Sequence, residues 1–213
     1  EIDRGGFDLI RITDDGTGIH EHDLSLSLDR HATSKLSNEE DLAAIGTLGF
    51  RGEALASIGM VSKLSISSRP RGTEGRVIVM DNGNKGKIEP AGIAEGTSIE
   101  VSHIFSNQPA RLAFQRRPAT ETSKIVDVVV SHAICHPEVG FRLVSDEKTI
   151  LEVPAVDEME DRLYDVLGRQ AGKMIPISAP KSDSDAPGDE RWSGWISTPD
   201  ITRGKGDEIH VLI

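Results

Sequence analysis

The stretch RHATSKLSNEEDLAAIGTLGFRGEALASI, residues 30–58, decides how the chain reads. Two polar clusters, residues 30–35 and 49–53, flank a short helical pattern. Within that pattern Ser37-Asn38-Glu39-Glu40 is a capping box, with Ser37 as N-cap and Glu40 three residues on. The helix passes through Leu42 and Ile45 and is expected to stop at Gly46. A second helix is expected from Glu53 to about Ser57, directly after Gly52. Just upstream, a strand over residues 7–12 runs into the acidic, glycine-rich turn Asp14-Asp15-Gly16-Thr17-Gly18-Ile19.

Each piece has a chemical reading beside a plain one. In Asp14-x-Gly16-x-Gly18, a carboxylate beside two glycines can accept a hydrogen bond from a purine amino group while the backbone comes close to the base. Equally, Asp is favoured in any strand-ending turn by local hydrogen bonding. Gly49-Phe50-Arg51-Gly52-Glu53 places two glycines before a helix, so that backbone N–H groups converge on an anion such as a phosphate. A simple loop-to-helix junction, with Glu53 complementing the helix dipole, is the other reading. Arg30-His31-Ala32-Thr33-Ser34-Lys35 offers hydroxyls and cations suited to triphosphate oxygens, or is a solvated loop. The chain has neither a Rossmann fingerprint, since Glu21 stands at the third glycine position, nor a P-loop.

Working outward, residues 20–29 read as a short helix with Leu24 and Leu28 on one face. Strands are expected over residues 64–67, 76–80, 87–89 and 96–101, with Asp81-Asn82-Gly83-Asn84 as a hairpin turn. Thr120 can cap a longer helix whose apolar face is Ile125, Val126, Val129, Val130, Ala133 and Ile134. His136-Pro137 ends it. Residues 141–144 and 150–153 read as a hairpin, and 157–167 as a helix with Leu163, Val166 and Leu167 inward. A polar acidic loop over 181–190 precedes strands at 192–196 and 209–213. The expected architecture is a two-layer α/β sandwich, with a boundary near Pro154.

Composition narrows the classes. Of 213 residues, 37% are hydrophobic but only 4% aromatic, so the core must be mostly aliphatic. Apolar runs are too short for a membrane span. The single Cys135 excludes an internal disulfide. The net charge is −11, yet residues 30–124 carry 13 Lys/Arg against 10 Asp/Glu, leaving room for a basic patch in the middle. Arg111, Arg116, Arg117 and Lys124 are candidates for a DNA-backbone surface, or for a solvated face at a helix start. His132-x-x-Cys135-His136 lacks a fourth ligand and reads as helix-end and packing residues rather than a metal site.

The order DDGTGI, RHATSKL, LGFRGEALASI and GTSIEV resembles the MutL family of DNA mismatch repair proteins, part of the gyrase, heat-shock chaperone, histidine kinase and MutL ATPase superfamily. IFSNQPARLAFQRRPATE is similar to that family's N-x-P-A-R-x-x-F segment. The resemblance implies an α+β chain: a left-handed βαβ ATPase sandwich over residues 1–153, lacking its first helices, then an incomplete domain like ribosomal protein S5 over 154–213. It implies that Asp14 binds adenine, that Gly16 and Gly18 lie beside it, and that Thr97 supports the adenine-side water network. It assigns Thr33, Ser34 and Lys35 with Gly49, Phe50, Arg51, Gly52 and Glu53 to the lid and phosphate contacts. ATP and Mg2+ are the implied cofactors. DNA, a MutS-type mismatch sensor and a second copy or related subunit are the implied partners. The implied location is the cytoplasm or nucleoid of a prokaryote, or a eukaryotic nucleus.

In that family a helix bearing a general-base Glu and a magnesium-binding Asn precedes the Asp14 strand, and this chain starts after it. No catalytic residue is therefore expected within 1–213, and the chain alone is expected not to hydrolyse ATP and to bind it weakly or not at all. The alternatives are a catalytically inactive nucleotide-binding or interaction module, and a topoisomerase-like ATPase subunit.

Overall fold

A computed structural model describes residues 1–29, 53–178 and 193–199. The expected helix from Ser37, the strand at 209–213 and the loop at 181–190 lie outside them. The chain forms two compact units, residues 1–123 with 144–148, and residues 124–143 with 149–213.

The first unit is built on a mixed sheet. Its strands are β1 (Ile2–Asp3), β2 (Leu9–Asp14), β3 (Lys63–Arg69), β4 (Arg76–Asp81), β5 (Asn84–Lys85), β6 (Glu89–Pro90) and β7 (Gly96–Ser102). They lie in the order β5-β4-β3-β7-β2-β1, with β6 also on β4. Ser145, from the tip of the later β8 (Phe141–Ser145) to β9 (Lys148–Val153) hairpin, runs parallel to Ile2. The other pairings in this unit are antiparallel.

Alternation decides which face is buried. Leu64 faces Met80 and Val101, and Val101 faces Ile10. Two residues along, Ile66 faces Ile78 and Ile99, and Ile99 faces Ile12. Directly opposed residues share a face, so these rows form one apolar surface. Leu24 and Leu28 pack on it, as do Leu55 and Ile58 of α2 (Ala54–Gly59). Leu24 belongs to α1 (Glu21–Leu26), which is shorter than the 20–29 expected, although both leucines are buried. The opposite face is polar. There Arg11 pairs with Glu100 at 2.8 Å and Glu1 at 2.7 Å, and Thr13 meets Ser98 at 3.1 Å. An antiparallel sheet with one wet face needs this pattern.

Most elements fall where the sequence pattern places them, and some are displaced. β2 runs two residues past the expected end, because Asp14 pairs with Thr97 as the last rung of the ladder. The strand expected at 87–89 is split. Asn84–Lys85 closes the hairpin, Gly86 N–H donates to Val79 O, and Glu89–Pro90 returns to β4. The long helix, α4 (Pro118–Cys135), starts at Pro118 rather than from a Thr120 cap. A proline at the first helical position loses no hydrogen bond and has φ already set for the helix.

In the second unit α5 (Met159–Leu167) leads through a 3-10 turn, Gly168–Lys173, into β10 (Met174–Ser178). β10 pairs antiparallel with β11 (Ser193–Ser197). Among the described residues no helix is long and apolar enough to cross a membrane.

One contact of the first unit makes a pH prediction. The Arg4 backbone N–H donates to Asp146 Oδ1 at 2.8 Å, and Ser145 Oγ donates to Oδ2 at 3.0 Å. The backbone bond first, then the hydroxyl, holds the Asp146 carboxyl below its ordinary value of 3.8. A depressed folded-state pKa adds stability above that ordinary value and loses it as pH falls through the folded value. Asp146→Ala should therefore flatten the acid limb of the stability curve below about pH 4. Urea midpoints across the acid range check this, and an unchanged acid limb would refute it.

Candidate nucleotide-binding site

Asp14, Thr97 and Ser68 form one row across three neighbouring strands. Asp14 opposes Thr97, and Thr97 opposes Ser68. By the parity of the pleat this row lies on the same face as the apolar rows beside it. At this end the aliphatic face opens, Ile12 beside Asp14 being exposed, and an apolar surface with a polar edge is where a flat, mostly apolar base with a polar edge is accommodated. Asp14 is exposed, while Thr97 and Ser68 are buried.

The turn after β2 is held against this row. Gly16 N–H donates to Asp14 Oδ1 at 2.9 Å, which orients the carboxylate. Gly18 has φ +73°, and a Cβ there would sit 2.7 Å from Pro70 N and 2.8 Å from the Arg69 carbonyl. Ile19 N–H then donates to Ser68 Oγ at 2.7 Å. Ser68 also donates to Gly96 O at 2.9 Å and lies 3.0 Å from Thr97 Oγ1. The turn and the β3–β7 ladder are thus joined through a single hydroxyl.

Gly96 is equally constrained. Its φ is +114°, and a Cβ would collide with the Asp14 carbonyl oxygen. Side chains rarely adopt that conformation, and the neighbour in the way is backbone. Gly96→Ala should cost about 2 kcal/mol or more and displace Asp14. Thermal melts of variant and parent check it; a shift within error would refute the close approach.

Of the residues expected at the site, the structure brings together Asp14, Gly16, Gly18 and Thr97. Glu53 stands at the N-cap position of α2, so that helix begins one residue later than expected. Thr33, Ser34, Lys35, Gly49, Phe50, Arg51 and Gly52 lie outside the described residues. Ser68 was missed. In sequence it is one of several serines in an alternating run, and only the register with Thr97 singles it out. An acceptor row of carboxylate and hydroxyl fits the amino edge of adenine. Among the described residues no group of three or more His, Cys, Asp or Glu is placed to hold a metal ion.

The four basic residues read as a DNA surface are all exposed. Arg111, Arg116 and Arg117 belong to the first unit, and Lys124 opens the second. Arg111 lies in α3 (Pro109–Ala113), its guanidinium 5.3 Å from the centre of the Phe105 ring. Asn107 Nδ2 donates to Met60 O at 3.2 Å and Phe105 N–H to Val61 O at 2.6 Å, tying this loop to the end of α2. The His132 and His136 rings stack at 6.5 Å, with His136 Nδ1 3.2 Å from Glu138 Oε1.

No family model matches the chain. Curated relatives do. A protein of Streptococcus equi subsp. equi named DNA mismatch repair protein MutL is 38% identical over 215 residues, covering all of this chain and 32% of its own length. The like-named protein of Geobacter sulfurreducens is 38% identical, again over the whole chain and 34% of the relative. That of Halobacterium salinarum is 36% identical over 32% of its length. The chain thus spans about a third of the length of the relatives it matches. Among solved structures, the Aquifex aeolicus MutL ATPase domain complexed with ADP superposes with a TM-score of 0.62 at 29% identity. That match covers 81% of this chain and 60% of the other.

Proposed function

The chain belongs to the MutL family of DNA mismatch repair proteins, and from that premise we propose that it carries the adenine-binding side of an ATP site. The observation that carries the proposal is the register-locked row Asp14–Thr97–Ser68, with the turn of residues 14–19 tied onto it. In the intact protein, ATP binding would order the lid containing Thr33, Ser34 and Lys35 and the phosphate loop of Gly49 to Glu53. Closure would bring two copies, or two related subunits, together, and hydrolysis would part them, a population switch driven by contacts to the γ-phosphate. That cycle would coordinate a MutS-type sensor with downstream repair on DNA. Magnesium would accompany the triphosphate, and no step is assigned to it through the described residues. The division into an ATPase domain over 1–153 and an S5-like domain from 154 belongs to the same proposal.

The test of nucleotide binding is a thermal shift of the intact protein with a non-hydrolysable ATP analogue and magnesium. A ligand present at about a hundred times its Kd stabilises the folded state by about 2.7 kcal/mol. No shift at any concentration would sink the reading. The DNA surface has its own test. Neutralising a phosphate contact lowers the salt slope of binding by about one per contact. Arg116→Glu with Arg117→Glu should therefore flatten the dependence of DNA affinity on salt. An unchanged slope would remove both residues from the surface.

A further inference from the structure

We infer that Ser68 is a positioning residue that makes Thr97 a pure hydrogen-bond acceptor, and so sets the site's preference for a purine bearing an exocyclic amino group. The inference rests on the nucleotide reading above and adds a residue and a polarity to it.

The protons of Ser68 and Thr97 fit their neighbours in one arrangement. Three short contacts converge on Ser68 Oγ: Ile19 N at 2.7 Å, Gly96 O at 2.9 Å and Thr97 Oγ1 at 3.0 Å. A serine hydroxyl has one proton and two lone pairs. Ile19 N–H can only donate, so it takes one lone pair. Gly96 O can only accept, so its contact requires the Ser68 proton. The remaining contact, oxygen to oxygen, then requires the Thr97 proton. Any other assignment leaves two oxygens at hydrogen-bond distance with no proton between them, inside a region where both hydroxyls are buried.

The consequence reaches the ligand through Thr97. With its proton committed to Ser68, Thr97 Oγ1 has only lone pairs to offer. Asp14, opposite it in register, is likewise an acceptor. The row thus presents acceptors alone, and a group with two N–H donors on one nitrogen, taken directly or through one water, complements it. A base lacking that group leaves the acceptors facing a hydrogen or a water that must be reoriented. Ser68 itself is fully buried and reaches the site through Thr97 and through the turn that Ile19 N–H ties to it.

The experiment compares ATP with purine riboside triphosphate, which is ATP without the amino group, by competition binding to the intact protein. In the parent protein ATP should bind more tightly. In Ser68→Ala the Thr97 hydroxyl is free to turn, and the ratio of the two affinities should fall about five- to tenfold. A purely structural loosening would weaken both nucleotides alike and leave the ratio in place, which would overturn the inference. Thr97→Val should lower the ratio similarly, and the double variant should lower it no further than either single change. Should Ser68→Ala not fold, Ser68→Cys, a weaker donor and acceptor of similar shape, must show the same loss. Failure of the underlying reading looks different: the parent protein itself would then show no preference for the amino-bearing nucleotide.

Discussion

Arg162→Met is expected to cost about 3–5 kcal/mol and to unfold the second unit at denaturant concentrations where the parent chain is intact. Arg162 is completely buried in α5. The two protons of its Nη2 are shared among three backbone carbonyls, Pro137 O at 2.8 Å, Val139 O at 2.7 Å and Pro154 O at 2.7 Å. Its guanidinium also lies 6.0 Å from the centre of the Phe141 ring. One nitrogen therefore ties α5 to the turn after α4 and to the exit of β9. Methionine fills the space and abandons all three acceptors. Each orphaned carbonyl carries a desolvation cost that water at the surface would otherwise meet.

The same geometry predicts a milder partner experiment. Among the described residues, Nε and Nη1 of Arg162 are buried with no hydrogen-bond partner. The three carbonyls meet at one point, and an ammonium has three protons to give there. Arg162→Lys should therefore retain most of the stability, costing about 1–2 kcal/mol. Trp195 lies in β11 of the second unit, so tryptophan fluorescence in urea reports this unit. A methionine variant within 1 kcal/mol of the parent, or a lysine variant no better than methionine, would refute the account.

Asp14→Asn is expected to weaken ATP binding by the intact protein by about ten- to a hundredfold. A hydrogen bond to a charged acceptor contributes about 1.5–3 kcal/mol, and the amide loses the charge and one of the two acceptor oxygens. Fold stability should hold, because the amide oxygen can still accept from Gly16 N–H, the bond that orients the parent carboxylate. Binding by competition, beside a melt without nucleotide, separates the two effects. Unchanged ATP affinity in a folded variant would show that position 14 is a turn residue and nothing more.

Much of this molecule is legible without coordinates, for physical reasons. The alternation through Leu64 and Ile66 in β3 marks a half-buried strand, and the Leu24–Leu28 spacing marks a helix face; both report burial that the side chains themselves enforce. Asp-Asn-Gly-Asn at 81–84 marks a hairpin because Asn82 and Gly83 both take positive φ there. The tighter turn at Asp146-Glu147 carried no such mark. Both residues sit at positive φ without glycine, held by the Arg4 backbone bond to Asp146. β10 also went unread, since Met174-Ile175-Pro176 contains a proline that argues against a strand. Among the described residues β10 pairs only with β11, and an edge position tolerates a proline.

What the sequence by itself determined is the kinship and the parts. The order of DDGTGI, RHATSK, GFRGEAL and GTSIEV carries the likeness to the MutL family, because it is a pattern of residue types along the chain and needs no coordinates to be read. What only the tertiary structure decided is which distant residues meet. Ser68 lies beside Thr97 because ladder register sets it there, and Arg162 becomes a buried keystone because two chain segments aim three carbonyls at one nitrogen. Helical periodicity counts apolar positions and cannot foresee such acceptors, and a strand's alternation names a face without naming its neighbour.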